Sequence, residues 1–404
     1  MRIALIADTF PPLRTSGAVQ LRDLSREFAR QGHQVTVMLP VADLDHPWLL
    51  EEIDCVQVLR LRAPRTKDIG YARRTLAELI MPFAMLRNLR KSPLAQERWD
   101  GVVWYAPSIF HGPLANALKK ASGCKGYLII RDIFPEWVAD MGLMGRGLPY
   151  MFFKAVANYQ YSVADVIGIQ THGNQAYFVE QINSRIEVLQ NWLADAPSVG
   201  CSIDVAAGKL AGRTIFVYAG NMGVAQCTGV LLDLADRLRS RADIGFLFVG
   251  RGSDAQRLSL DASQRGLDNM TFHDEIDPSE IPGLYAQCHI GIVALDPRHK
   301  THNIPGKFLS YMQAGLPVLA SINPGNDLEG LILGEGVGRV CTDQSVAILQ
   351  RLALELVDEL VGRGGAEAGG GTAVASRCKG LAAKLFSPEA AVRQIVAALT
   401  ARSS

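Results

Sequence analysis

The sequence lacks the patterns that mark disulfide-rich, zinc-binding and dinucleotide-binding proteins. Its seven cysteines contain no CxxC pair and are odd in number, which argues against a disulfide framework or a zinc ribbon. No histidines form an HxxxH pair, and no GxGxxG fingerprint follows the first apolar run, as a dinucleotide site would require. We therefore expect reduced thiols in a cytoplasmic protein, with no metal and no cofactor.

The sequence also lacks a charge excess and a long apolar run. Lys and Arg total 41, and Asp and Glu total 40, so the overall charge gives no reason to expect nucleic-acid binding. No apolar stretch reaches the roughly 18 residues expected of a helix that spans a bilayer. We expect a soluble protein or one bound peripherally to a membrane.

What the sequence does contain is a repeated alternation of strands and helices. Ile3–Ala7 and Val35–Leu39 are buried-strand patterns separated by an amphipathic helix, which predicts a parallel βαβ unit. The alternation restarts at Thr214–Ala219. At 404 residues, the chain is long enough for two domains. We predict an α/β protein with two Rossmann-like domains, residues 1–195 and 205–386, facing each other across a cleft, and a final helix at 388–404 that packs back on the first domain.

Two glycine-containing loops follow predicted strands. Gly17 precedes the first helix, where backbone N–H groups and the helix dipole favour an anion. Gly220, Asn221 and Gly223 follow the first strand of the second domain, where glycine keeps the backbone open and an amide can donate hydrogen bonds. For each loop the alternative is a plain tight turn.

The strongest signal is the run from Asn303 to Val318. Pro305 fits the start of a helix, and Lys307 then lies near the helix N-terminus, where dipole and ammonium both favour an anion. Ser310 lies one turn further along the same face. The alternative is a solvated lysine on an ordinary helix.

A charged pair, Arg131 and Asp132, follows an apolar strand of the first domain. Opposite charges at the carboxyl end of a central strand are unfavourable unless they are paired or used, so they are candidates for acceptor binding or proton transfer. The alternative is a structural ion pair with a helix cap.

At these residues the sequence resembles the retaining GT-B glycosyltransferases called group 1 or family 4, and among them the WbuB-like enzymes of bacterial surface-polysaccharide synthesis. The resemblance covers nearly the whole chain. It depends on five runs: Phe10-Pro11-Pro12 with Gly17, Arg131 to Glu136, Tyr218 to Gly223, Phe248 to Ser253, and Pro305 to Met312.

The resemblance implies a metal-independent transfer of a sugar, with retention of configuration, from a nucleoside diphosphate donor held mainly by the second domain. The acceptor would bind the first domain, with Arg131 and Asp132 as the catalytic candidates. By resemblance the donor is a UDP-N-acetylamino sugar, and the acceptor is a saccharide or a polyprenyl-diphosphate-linked sugar. The implied donor-binding residues are Gly17, Gly220, Asn221, Gly223, Arg251, Ile276, Asn303, Lys307 and Ser310.

The sequence departs from this family at three places. Many relatives have a Glu that binds the ribose hydroxyls at the position of Ser310. Many also have an Arg and a Lys in the loop after Gly220, and this chain has neither there. Arg131 stands at the position of a His that is common in the family. Two alternatives therefore stay open. One is a nucleotide-sugar epimerase on the same fold, and the other is a catalytically inactive subunit that binds sugar nucleotides.

The segment from Arg60 to Arg98 is basic. It contains ten Lys and Arg against three acids, a local net charge of +7, around the apolar run Leu76–Leu86. A basic segment with an exposed apolar face is typical of proteins that bind an anionic leaflet peripherally, here the inner face of the plasma membrane. The alternative is that the apolar run is buried and the arginines form a solvated face.

Overall fold

The computed structural model describes residues 1–13, 15–178, 184–195, 199–223, 226, 228–298, 300–362 and 370–401. The chain divides into two compact units. The first comprises Met1–Trp192 with Pro388–Ser404, and the second comprises Leu193–Ser387.

The described part of the first unit is built on one eight-stranded sheet with the order β3-β4-β2-β1-β5-β6-β7-β8. Neighbouring strands are parallel, except that β3 and β4 form an antiparallel pair. The strands are β1 Arg2–Ile6, β2 Gln34–Val41, β3 Trp48–Ile53, β4 Val56–Arg62, β5 Gly101–Ala106, β6 Lys125–Ile130, β7 Val166–Ile169 and β8 Arg185–Val188.

Helices cover both faces of this sheet. The helices are α1 Ser16–Arg30, α2 Tyr71–Leu89, α3 Gly112–Ser122, α4 Glu136–Asp140, α5 Leu148–Val163 and the C-terminal α13 Pro388–Thr400, with a 3-10 helix at His172–Phe178. Buried side chains of α2, α3 and α5 share one apolar cluster with the sheet. Those of α1 and α13 share another cluster on the opposite face.

The second unit contains a six-stranded parallel sheet with the order β11-β10-β9-β12-β13-β14. Its strands are β9 Thr214–Ala219, β10 Ile244–Val249, β11 Met270–His273, β12 Ile290–Ala294, β13 Val318–Ser321 and β14 Gly338–Cys341. Its helices are α6 Gly229–Arg237, α7 Ala255–Gln264, α8 Ile281–Tyr285, α9 Gly306–Ala314, α10 Asp327–Gly334, α11 Val346–Val361 and α12 Gly370–Leu385, with a 3-10 helix at Pro278–Glu280. Two apolar clusters again fill the two faces.

Strand burial is consistent with the parallel pairing of the central strands in both sheets. Every residue of β5, β10 and β12 is buried, as expected for strands covered by helices on both sides. The prediction of an α/β protein with two Rossmann-like domains is therefore confirmed. No helix among the residues described above is long and apolar enough to cross a membrane.

Candidate functional site

Two glycine loops interlock at the carboxyl edge of the second sheet. The loop after β9 contains Gly220 (φ +132°), and the loop after β10 contains Gly250 (φ +144°) and Gly252 (φ +148°). A Cβ on Gly250 would lie 2.1 Å from the Gly220 carbonyl oxygen, and one on Gly252 would lie 2.2 Å from that of Met222. The Asp254 N–H donates to the Met222 carbonyl at 2.9 Å. The two loops therefore pack backbone against backbone, which only glycine permits at these positions.

Lys307 lies beside these loops at the N-terminus of α9. A Cβ on Gly220 would be 3.6 Å from the Lys307 Nζ. The ammonium lies 3.4 Å from the centroid of the Tyr218 ring, a cation–π contact. The Tyr218 hydroxyl in turn donates to the Asn221 carbonyl at 2.7 Å, so the ring joins the lysine to the glycine loop.

The Lys307 ammonium is buried and makes no hydrogen bond to any residue that the structure describes. Burial lowers the pKa of Lys307 to about 7. No side chain caps the N-terminus of α9, so its free N–H groups and dipole add to the positive potential. A buried cation without a hydrogen-bonded partner is unfavourable, and an anion bound here would satisfy it.

The amides predicted to contact this anion are engaged by Gln226. Its Oε1 atom accepts from the Asn221 Nδ2 and from the Gly223 N–H, each at 3.1 Å. The loop after β9 is thus held in a closed turn. A phosphate that used these two donors would have to displace the Gln226 side chain.

Arg251 follows β10 and points into solvent, with 72% of its side chain exposed. Its Nε atom pairs with the Glu275 carboxylate at 3.1 Å, so part of its charge is already balanced. Ile276, which follows Glu275, is half-buried and packs against the apolar cluster that includes residues of α9. Arg251 and Ile276 therefore follow β10 and β11, on the side of β9 away from β12.

The remaining donor-site predictions fall on α9 and the segment before it. Ser310 lies one turn after Lys307, and its hydroxyl is 3.4 Å from the Gly306 carbonyl. Asn303 is half-buried four residues before Lys307. The structure thus brings Lys307 close to the glycine loop, and among the described residues no hydrogen bond joins the side chain of Asn303 or Ser310 to that loop.

Sequence reasoning missed two residues at this edge. One is Tyr218, whose ring makes the cation–π contact with Lys307. From the sequence, Tyr218 is predicted only to be a buried residue of a strand. The other is Asp296, a buried carboxylate two residues after β12 that pairs with the Arg298 guanidinium at 2.7 Å. The sequence signal for Asp296 was a carboxylate shortly after a predicted strand, at the edge where ligands bind in such sheets.

Arg131 is buried in the first unit. Its Nη1 atom donates to the Leu189 carbonyl at 2.9 Å, and the guanidinium lies 4.7 Å from the Trp192 ring centroid. Burial lowers the pKa of Arg131 to about 10, and the Tyr105 hydroxyl opposes that shift. These contacts hold the chain that leaves β8 and favour a structural role for Arg131 over the predicted catalytic one.

Asp132, the next residue, is open to solvent. The surrounding protein displaces enough bulk water to raise the pKa of its carboxyl group, and the Arg131 charge opposes that rise. Asp132 is therefore accessible, and within the described part of the chain its side chain makes no hydrogen bond of the kind that holds Arg131.

Gly17 lies in the first turn of α1, which the Thr15 hydroxyl caps by accepting from the Ala18 N–H. A Cβ at Gly17 would be 3.1 Å from the Thr9 Cγ2 and 3.4 Å from the Tyr105 hydroxyl. Close packing is therefore sufficient to explain glycine here, whether or not a phosphate approaches it.

Comparison with known proteins finds one family model that matches part of the chain, and relatives that resemble it. The family model "Glycosyl transferases group 1" matches residues 213–357. A probable glycosyltransferase, WbjE of Pseudomonas aeruginosa, is 24% identical over 254 residues, which cover 60% of this chain and 62% of the relative. The putative colanic acid biosynthesis glycosyl transferase WcaI of Escherichia coli is 28% identical over 216 residues, covering 49% and 52%. The chain thus spans less than two thirds of the length of these relatives.

Solved structures show the same fold. Sucrose-phosphate synthase from Thermosynechococcus elongatus has a TM-score of 0.70 at 15% identity, covering 98% of this chain and 97% of that one. Anabaena HepE in complex with UDP-glucose has a TM-score of 0.66 at 13% identity, covering 98% and 99%. WaaG, a glycosyltransferase involved in lipopolysaccharide biosynthesis, has a TM-score of 0.63 at 15% identity, covering 99% and 100%. The fold is GT-B.

Proposed function

We propose, from the premise that residues 213–357 are a group 1 glycosyltransferase domain, that the protein transfers a sugar from a nucleoside diphosphate donor to an acceptor hydroxyl in surface-polysaccharide synthesis. The observation that carries this proposal is the buried Lys307 ammonium, which has no hydrogen-bond partner in the described structure and lies beside the loop of Gly220. A diphosphate supplies the anion that this arrangement lacks. HepE, which shares the fold, was solved with UDP-glucose.

The donor we propose is a UDP-linked sugar, with an N-acetylamino sugar as the group transferred. Lys307 and the N-terminus of α9 would bind the β-phosphate, and the loop after β9 would lie along the diphosphate. Ile276 would contact the base, and Ser310 would contact the ribose with a single hydroxyl. Because a hydroxyl is a weaker acceptor than a carboxylate, donor affinity would depend strongly on Lys307.

The proposed reaction is a metal-independent transfer with retention of configuration. The acceptor oxygen attacks the anomeric carbon from the face that the diphosphate leaves, the bond from that carbon to the β-phosphate oxygen breaks, and the acceptor proton passes to that phosphate oxygen. The protein must then stabilise negative charge developing on the β-phosphate, which a buried ammonium and a helix N-terminus do well. Asp132 would orient the acceptor hydroxyl.

A thermal-shift panel of UDP, dTDP and GDP tests donor binding. Ligand at 100 times its dissociation constant stabilises the folded state by about 2.7 kcal/mol. We expect UDP to give the largest shift. Lys307→Met should weaken UDP binding by about 2 kcal/mol, the worth of a charge-assisted contact. Lys209→Met, a change at an exposed lysine of the same unit, is the control. Equal UDP affinity in wild type and Lys307→Met would exclude Lys307 from the site.

We also propose that the first unit binds an anionic membrane surface, where a polyprenyl-diphosphate-linked acceptor would reside. The apolar run on α2 is divided between the core and solvent. Met81 and Met85 are buried, whereas Leu76, Ile80 and Phe83 are exposed, Phe83 by 61%. Such an exposed apolar stripe flanked by cations is typical of peripheral membrane binding.

Cations flank this stripe, and a second helix adds to it. Arg73 and Arg87 are exposed on α2 and form no ion pair with another described residue. Exposed apolar side chains recur on α5 at Leu148, Met151 and Phe152, with Leu148 exposed by 82%. Because α2 and α5 both pack on α3 at the same face of the sheet, they present these side chains from one helical layer.

Co-sedimentation with vesicles containing an anionic phospholipid tests this surface. Each cation near an anionic leaflet contributes about 1 kcal/mol, so Arg73→Glu/Arg74→Glu should reduce binding strongly, and added salt should do the same. Arg237→Glu/Arg257→Glu makes the same charge change in the second unit and should leave binding unchanged. Absence of vesicle binding by wild type at low salt would refute the membrane proposal and leave the transferase proposal intact.

A further inference from the structure

Three carboxylates of the first unit are considered together and are here called the acidic edge: Asp8, Glu78 and Asp132. Asp8 follows β1, and Asp132 follows β6. The charge of Asp8 contributes to raised pKa values of both Glu78 and Tyr105, and the charge of Asp132 contributes to that of Tyr105. Asp8 and Asp132 therefore both act on Tyr105 from the carboxyl edge of the sheet, and Asp8 also acts on Glu78.

A buried histidine points to a polar ligand here. His111, immediately before α3, is fully buried, and neither of its ring nitrogens has a hydrogen-bond partner in the described structure. The Oδ1 atom of Asp8 is also buried and has no hydrogen-bond partner among the described residues. Asp8 follows β1 and His111 follows β5, and these two strands are parallel neighbours in the sheet, so both residues lie at its carboxyl edge. The Asp8 charge opposes the lowering of the His111 pKa by burial. Unsatisfied buried polar atoms are rare and call for an explanation.

Two cations of the described structure near the acidic edge are already engaged. Arg131 donates to the Leu189 carbonyl and stacks on Trp192. Arg74 pairs with Glu78 at 2.9 Å. Neither forms an ion pair with Asp8, so in the described structure the Asp8 charge is not balanced by either of these cations.

We propose that Asp8 accepts hydrogen bonds from the hydroxyls of an uncharged sugar ring, the ring of the acceptor that carries the reacting hydroxyl, with His111 as the positioning residue behind it. This inference rests on the proposed transferase function and names the class of its acceptor. A carboxylate offers several acceptor sites to hydroxyl donors. It repels a carboxylate on the same ring, which gives the site selectivity for a hexose over a hexuronic acid.

The test compares a neutral methyl hexoside with the matching methyl hexuronoside, in transfer assays with the best donor from the UDP-sugar panel. We expect the wild-type protein to use the neutral acceptor at least tenfold better. Asp8→Asn should lower kcat/KM for the neutral acceptor by about tenfold, as for the loss of one charge-assisted hydrogen bond. It should also reduce the discrimination against the uronoside and leave UDP affinity unchanged. Asp54→Asn, at an exposed acid paired with Arg26, is the control and should change none of these.

A second readout needs no turnover. His111 ring resonances, identified by their loss in His111→Gln, should titrate at lower pH in Asp8→Asn, because the Asp8 carboxylate stabilises the imidazolium. An unchanged His111 titration would refute the pairing. Equal use of the uronoside, or a parallel loss of UDP affinity in Asp8→Asn, would refute the acceptor assignment alone. A wild-type protein that bound no nucleoside diphosphate would instead refute the proposed function.

Discussion

The carboxyl edge of the second sheet ends in glycine loops around one buried lysine, whereas that of the first sheet ends in carboxylates beside a buried histidine. Both sheets are built from parallel strands of similar apolar composition, and both are covered by helices on two faces. The difference lies in the residues just past each strand. A Rossmann-like sheet provides an edge for ligands, and those residues decide whether the edge suits an anion or a polyol.

The largest effect that would break this comparison is loss of the interlocked loops. Gly250→Ala would place a Cβ 2.1 Å from the Gly220 carbonyl at φ +144°, a conformation that essentially only glycine adopts. We expect the free energy of unfolding to fall by about 3 kcal/mol or more, measured by denaturant titration. Gly325→Ala, at φ +74° with open space around the new methyl group, should cost about 1 kcal/mol. Equal losses in the two variants would show that the loops do not depend on this close contact.

The next effect concerns the accessible carboxylate of the acidic edge. Asp132→Asn keeps the side-chain volume and removes the charge. If Asp132 orients the acceptor hydroxyl, turnover should fall by about 100-fold, at the low end for a group that assists proton transfer, while UDP affinity stays constant. Steady-state kinetics with UDP binding measured in parallel separates these quantities. Loss of UDP affinity in step with turnover, or failure to fold, would favour a structural ion pair instead.

The fold was predictable because buried strands and amphipathic helices alternate along the chain, and Thr214–Ala219 was predicted with its exact bounds. The antiparallel β3 was missed, because Trp48–Ile53 is an edge strand whose mixed burial gives no period. The place of Lys307 at a helix N-terminus was predictable from helix-start chemistry. Its contact with Tyr218 and the burial of His111 without a described partner were not, since sequence spacing carries no information about contacts between separate elements.

The pH dependence of UDP binding sharpens the comparison further. Burial lowers the pKa of Lys307 to about 7, and a bound diphosphate should raise it again by favouring the ammonium. Binding at pH 8 should therefore take up nearly one proton, and UDP affinity should fall by up to tenfold per pH unit above 7. Calorimetry in buffers of different ionisation enthalpy measures this uptake. In Lys307→Met the uptake should vanish, and its persistence there would assign the proton to another group.

The smallest effect is on the stability of the protein without donor. The pKa of Lys307 is about 7 in the folded protein and 10.5 in the unfolded chain. Between these two pH values the unfolded chain therefore binds a proton that the folded chain lacks. Stability should therefore rise with pH across this window through Lys307. Below pH 7 the folded protein carries a buried ammonium, so Lys307→Met, which replaces it with an apolar side chain of similar length, should stabilise the protein at pH 6 by about 1 kcal/mol.

Denaturant titrations at pH 6 and pH 9 would measure both effects, with Lys209→Met as the matched control at an exposed site. The gain in Lys307→Met should shrink at pH 9, where the wild-type lysine is already neutral in the folded state. A variant that is less stable than wild type at pH 6 would mean that the cation–π contact with Tyr218 outweighs the desolvation of the ammonium. Lys307 would then be held for the fold, and its lack of a hydrogen-bond partner would no longer argue for a bound anion.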